Sequence, residues 1–153
     1  MMGWIYGLLI VLGLGIDQLI KYWAIIKLPA GQEQIIIPNF LAFIRLNNHG
    51  AAYNILSGQR LFFLIITVIA IVVLLFLLIK YGRKSHFLGV SLSLLLAGAL
   101  GNALDRLLHG YVVDMIYLNI FNLPFLNFVC NFADILITSG VVLLIIYIFK
   151  TDN

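Results

Sequence analysis

Four stretches of this chain are so long and so apolar that they leave it one kind of environment to fold in. They cover residues 3–20, 61–79, 87–104 and 132–149, each close to the about 20 residues that a roughly 30 Å hydrocarbon core requires. Backbone inside lipid must satisfy its own N–H and C=O groups, so each stretch is expected to be a helix. The composition agrees. With 63% hydrophobic residues, 10% charged and a mean hydropathy of +1.13, the chain has too little polar surface to cover a water-soluble core. The expected architecture is an all-α membrane protein of four transmembrane helices, one domain over 1–153, with long loops at 21–60 and 105–131. The first stretch looks like a signal peptide only superficially. It lacks a basic n-region and leads into Asp17-Gln18 rather than a small-residue cleavage site, so it reads as a retained span.

An even number of spans puts both termini on one side. The short turn at 80–84 carries Lys80, Arg83 and Lys84, and Lys150 follows the last span. Lys21, Lys27, Arg45 and Arg60 lie in the long first loop, but short loops weigh most in setting orientation. The turn at 80–84 and both termini are therefore expected on the cytoplasmic side. The net charge of +3 and pI near 9.1 reflect this topology rather than a nucleic-acid surface, since the basic residues are dispersed and form no stripe. The single cysteine, Cys130, excludes an intramolecular disulfide and a cysteine-rich metal site.

Both opposite loops hold more than a linker needs. Residues 28–46 contain Q-I-I-I-P and F-L-A-F-I-R, broken at Pro38-Asn39, a pattern for a short hairpin or small sheet. Residues 117–128 carry Asn119, Asn122 and Asn127 with a break at Pro124. They are too interrupted for a fifth span and read as an interfacial or re-entrant segment. Trp23, Phe40, Phe43, Tyr117 and Phe121 suit an aromatic belt at the interface, or are ordinary apolar loop residues.

The scarce charges concentrate over 98–134, where Asp105, Arg106, Asp114 and Asp134 sit within or beside the spans. Ionised groups at that depth are costly, so each is a candidate functional residue. Gly98 and Gly101 allow close helix packing. Asn102, Asp105 and Arg106 share a helix face; Asp105 reads as an orienting salt bridge with Arg106 its expected partner, ranked above an Arg106 that binds a carbonyl or phosphate-like group. Asn131 and Asp134 have the N-cap to N3 spacing of a capping box, so Asp134 is either a cap or a functional carboxylate. Asp114 alone is a turn aspartate; if spans three and four pack together, it and Asp134 can converge. Asp17 and Lys21, four apart, form a structural ion pair or position a substrate. In Asn48-His49-Gly50-Ala51-Ala52-Tyr53, a turn could touch the site through Asn48, while His49 reads as solvated. Other chemistries fit worse: there is no H-E-x-x-H, no His/Cys ligand spacing and no G-x-S-x-G. His49, His86 and His109 are dispersed, and Ser139 and Cys130 have no base nearby in sequence.

Five motifs occur in order: D-Q-x-x-K at 17–21, N-x-G-A-A at 48–52, G-x-x-G-N-x-x-D-R at 98–106, V-V-D at 112–114 and N-x-A-D at 131–134. Together they resemble the bacterial lipoprotein signal peptidase (signal peptidase II) family over nearly the whole chain. Tyr53, Ala97 and Cys130 depart from the usual pattern without removing a polar side chain. The resemblance implies an aspartic endopeptidase of the bacterial cytoplasmic membrane that cuts diacylglyceryl-modified prolipoproteins just before the lipidated cysteine. It implies Asp114 and Asp134 as the dyad, with Asp17, Lys21, Asn48, Gly50, Asn102, Asp105, Arg106, Asn131 and Ala133 lining or supporting the site. It also implies a β-rich cradle and a flap near the outer face, with membrane lipids as surroundings and no metal, cofactor or nucleic acid. Two other classes make different predictions. A proton-coupled transporter spreads its acids through the bilayer depth, and a scaffold loses little beyond stability when its aspartates are neutralised.

Overall fold

The computed structural model describes residues 3–50, 58–120, 123 and 127–151. Ala51, Ala52, Tyr53, Phe121, Asn122 and Pro124 lie outside them. In chain order the elements are α1 (Gly3–Lys27), β1 (Gln34–Ile37), β2 (Leu41–Asn48), α2 (Arg60–Tyr81), α3 (His86–Leu108), β3 (Val112–Leu118), β4 (Phe128–Cys130) and α4 (Phe132–Thr151). All four helices are long and apolar enough to cross a membrane. The strands form one antiparallel sheet in the order β1-β2-β3-β4.

The centre of the molecule is α3. It packs against α1, α2 and α4, and its buried positions run from Leu88 to Asp105. By contrast α2 buries no residue, as expected of a helix whose surface is solvated by lipid rather than protein. Close approach to α3 depends on glycines. A side chain at Gly98 would place its Cβ 2.5 Å from Ala133 O and 2.7 Å from Ile137 Cγ1, and one at Gly101 would collide with the Asp17 carboxylate. Across the same seam Ser91 donates to Gly140 O at 2.8 Å. A Gly98→Val variant should therefore lose about 3 kcal/mol, the upper end of overpacking costs. That corresponds to a thermal midpoint lower by roughly 10 °C, measurable by unfolding in detergent.

The first helix does not stop near Ile20 but runs to Lys27. Its last turns have something to bury against. Ala24 and Leu28 pack on Val113 and Met115 of β3, with Ile20, Ile25, Phe43, Tyr111 and Ile116 around them. This contact seats the sheet on the end of the bundle. Pro38-Asn39 is the turn of the β1–β2 hairpin: Asn39 takes a left-handed φ of 58° and the Phe40 N–H donates to Ile37 O at 3.1 Å. Proline at the second turn position and asparagine at the third suit that geometry.

The structure defines the second long loop more closely. In its described parts it is paired strand rather than an unpaired re-entrant loop: Tyr117 and Leu118 end β3, and Phe128 begins β4, paired across from Leu118. Of the polar interruptions, Asn127 is tied into this pairing. Asn127 Oδ1 accepts from the Ile120 N–H at 3.2 Å, and its amide donates to Tyr117 Oη at 3.1 Å. Of the aromatic-belt candidates, Trp23 and Phe43 pack edge to face, with centroids 5.6 Å apart.

Candidate active site

Strand β3 has two faces. Side chains alternate along it, so Val113 and Met115 turn toward α1 while Val112, Asp114 and Leu118 line a cavity of about 800 Å³. The register of β2 on β3 sets Leu46 opposite Asp114 and Asn48 opposite Val112, which brings the Asn48 amide within reach. Asn48 Nδ2 donates to Asp114 Oδ2 at 2.9 Å, and Asn48 Oδ1 accepts from the Gly50 N–H at 3.0 Å.

Asp134 enters the same cavity from α4. Asn131 caps this helix reciprocally: the Asp134 N–H donates to Asn131 Oδ1 at 3.1 Å, and the Asn131 N–H donates to Asp134 Oδ2 at 3.0 Å. Capping and facing the cavity are thus not alternatives for Asp134; the cap is what aims it. The same asparagine reaches the other carboxylate, since Asn131 Nδ2 donates to Asp114 Oδ1 at 2.6 Å. One residue therefore holds both acids.

Behind the cavity lies a buried ionic cluster. Lys21 Nζ sits 2.9 Å from Asp17 Oδ2 and 3.1 Å from Asp105 Oδ2, with exposures of 2%, 0% and 1% for the three residues. Backbone donors add to the cluster: Asp17 Oδ1 accepts from the Ala133 N–H at 2.8 Å, and Asp105 Oδ2 from the Val113 N–H at 2.9 Å. Gln18 was not singled out from the sequence. Its amide bridges Asp17 and Asp105 at 3.1 Å to each, and its signal was its place inside the D-Q-x-x-K motif. Asn102 connects this cluster to the cavity. Its Oδ1 faces Lys21 Nζ at 3.1 Å, which turns its amide toward Asp134 Oδ1 at 2.9 Å.

The expected Asp105–Arg106 partnership is not what forms. Adjacent residues on a helix point about 100° apart and do not face one another. Asp105 turns inward to Lys21, whereas Arg106 turns to the cavity wall, donating to Gly50 O at 3.1 Å and lying 5.1 Å over the Phe63 ring.

The electrostatics favour a proton on Asp114. Its carboxyl is 2% exposed, and burial is the largest influence on it. The two asparagine amides oppose that effect and the Asp134 charge adds to it, leaving Asp114 pushed up to about 6. Burial, then the charges of Asp134 and Asp114, push the Cys130 thiol up to about 11. That favours the thiol over the thiolate, the form a nucleophile needs. Among the described residues no three His, Cys, Asp or Glu side chains gather as a metal-binding group.

Comparison with known proteins gives a consistent result. A family model described as signal peptidase (SPase) II matches residues 9–150. A lipoprotein signal peptidase of Enterococcus faecalis is 42% identical, covering 97% of this chain and 90% of that protein. One of Clostridium tetani is 38% identical over 95% and 93%, and one of Staphylococcus aureus 44% over 90% and 83%. Two solved bacterial membrane enzyme structures, obtained by the in meso method, superpose along nearly the full length. The first has a TM-score of 0.87 at 40% identity, covering 97% of this chain and 89% of that one. The second has 0.84 at 42%, covering 95% and 92%.

Proposed function

This chain belongs to the signal peptidase II family, a membrane protease that removes signal peptides from prolipoproteins, and we propose that it cuts as an aspartic endopeptidase, with Asp114 and Asp134 as its dyad. The scissile bond is the one before a diacylglyceryl-modified cysteine. The observation that carries this reading is that two carboxylates from different elements face one cavity while hydrogen-bonded to the same asparagine.

In this reading the two carboxylates bound to Asn131 hold a single proton between them. Asp114, the deeper one, keeps it. Asp134 takes a proton from a water as that water attacks the peptide carbonyl, and the Asp114 hydroxyl donates to the developing oxyanion. Collapse of the tetrahedral species returns a proton to the leaving amine of the lipidated cysteine and restores the pair. Asn131 and Asn102 fix the carboxylate planes, and the Asp17–Lys21–Asp105 cluster fixes Asn102. Arg106 brings positive charge to the cavity wall, where a substrate carbonyl can meet it.

The dyad lies at the outer face in this reading, with both termini cytoplasmic. Supporting it, the basic residues Lys80, Lys84 and Lys150 cluster at the other end of the bundle, each over an aromatic ring. The gathering of Asp17, Asp105, Asp114 and Asp134 at one end also disfavours a transporter, whose acids would be spread in depth.

Purified protein should cut a diacylglyceryl-modified prolipoprotein before its lipidated cysteine, in chelator as well as without it, and leave the unmodified precursor intact. The pH profile follows from Asp114. Its pKa is raised, so the proton the mechanism needs is present below about pH 6 and is lost as pH rises through that value. The logarithm of kcat/KM, which reports the free enzyme, should fall with unit slope on the alkaline side. A profile flat from pH 5 to about 9 would refute the assignment of the proton to Asp114.

A further inference from the structure

The cavity extends past the two carboxylates. Its wall on α4 continues through Ile135 to Thr138 and Ser139. Thr138 is four residues beyond Asp134, and Ser139 four beyond Ile135, so both lie about 6 Å further along the helix on the face turned to the cavity. That direction leads from the dyad into the span.

Hydroxyls in apolar helices ordinarily return to a carbonyl one turn back, and half of those here do. Thr67 donates to Phe63 O and Ser93 to Gly89 O, each at 2.7 Å, and Thr151 donates to Tyr147 O. Ser91 instead crosses to Gly140 O. Among the described residues, Thr138 and Ser139 are the helical serine and threonine whose hydroxyls bond to no protein group, and both are exposed. They open instead into the cavity that Val112, Leu118, Phe128 and Ile135 also line, and the fold makes no use of either hydroxyl. They are donors waiting for an acceptor.

We infer that Thr138 and Ser139 form a subsite that donates hydrogen bonds to a substrate carbonyl, one helical turn deeper than the scissile bond. This rests on the reading of Asp114 and Asp134 as the cutting dyad. Neutral hydroxyls one turn from the Asp134 carboxylate suit a neutral acceptor better than an anion, which that carboxylate would repel. The substrate brings two kinds: the ester carbonyls of the diacylglyceryl group, and amide carbonyls of the signal peptide, freed where its helix opens to present the scissile bond. A carbonyl remote from the reacting atoms is held equally in ground and transition states, so its loss raises KM and spares kcat.

The test uses the full-length enzyme with Thr138→Val, Ser139→Ala and the pair, on two synthetic prolipoprotein peptides. One peptide carries a diacylglyceryl group and the other a dialkylglyceryl ether, which lacks the ester carbonyls. On the ester peptide each variant should raise KM about 3- to 10-fold and the pair about 30-fold, as expected for neutral hydrogen bonds, with kcat within about twofold. Thr138→Ser should restore the wild-type KM. Effects confined to the ester peptide identify an ester carbonyl, and equal effects on both peptides identify an amide carbonyl; either outcome supports the subsite. An unchanged KM in the double variant on both peptides overturns it. So does a fall in kcat and thermal midpoint together that Thr138→Ser does not repair, which marks a packing role. Failure of the wild type to cut the ester peptide would count against the dyad reading instead. Binding of that peptide to Asp114→Asn, with and without the double substitution, still reads the subsite by Kd.

Discussion

Asp114→Asn and Asp134→Asn should each lower kcat for prolipoprotein cleavage by at least about 10³-fold, because general acid or base catalysis at a positioned group is worth about 10²- to 10⁴-fold and neither half of the pair can substitute for the other. Asparagine keeps the size of the side chain and much of its hydrogen bonding to Asn48, Asn131 and Asn102. Folding and substrate affinity should therefore persist. The check is single-turnover cleavage by purified variants beside thermal unfolding and substrate Kd. Near wild-type rates in both variants would move the chemistry to another acid. Asp17 and Asp105 are the remaining candidates, and their burial against Lys21 argues against them, since neither lines the cavity.

The second large effect concerns stability. Lys21→Met should cost about 3–5 kcal/mol, the usual consequence of removing one member of a buried ionic group and stranding its partners. Here two carboxylates would lose their shared cation. The thermal midpoint in detergent should drop by roughly 10 °C or more. Adding Asp17→Asn to Lys21→Met should recover part of the loss, because removing a stranded charge is favourable even when the ion pair itself was not. Cleavage should fall further than stability alone explains. Without the ammonium, nothing turns the Asn102 amide toward Asp134. A Lys21→Met protein as stable as wild type would show that the cluster is not a structural core.

Much of this was legible in the sequence, for physical reasons that differ from residue to residue. The helices announced themselves because an apolar run of this length has no other stable form in lipid. The Asp17–Lys21 pair and the Asn131–Asp134 cap are local, set by helical spacing over three or four residues, and both form. What required the structure is what depends on distant pairing. Residues 117–128 read as irregular because their regularity comes from β2, some seventy residues earlier in the chain. Sequence alone points Asp105 to Arg106, its neighbour, whereas Lys21 reaches it only once α1 and α3 pack across Gly101. The role of Gln18 is of the same kind, since it is defined by the two carboxylates opposite its amide.

The double hold of Asn131 on the two aspartates has a mechanical consequence. Bilayers differ in thickness by several ångströms, and spanning helices tilt to match them. A reaction centre assembled between two such helices would open and close with every change of tilt. Here the spacing of the acids is passed through the covalent frame of a single residue, whose amide nitrogen meets one and whose side chain meets the other. The centre can ride on a leaning helix as a rigid insert, keeping its gauge while the bundle around it adjusts to whatever membrane it occupies.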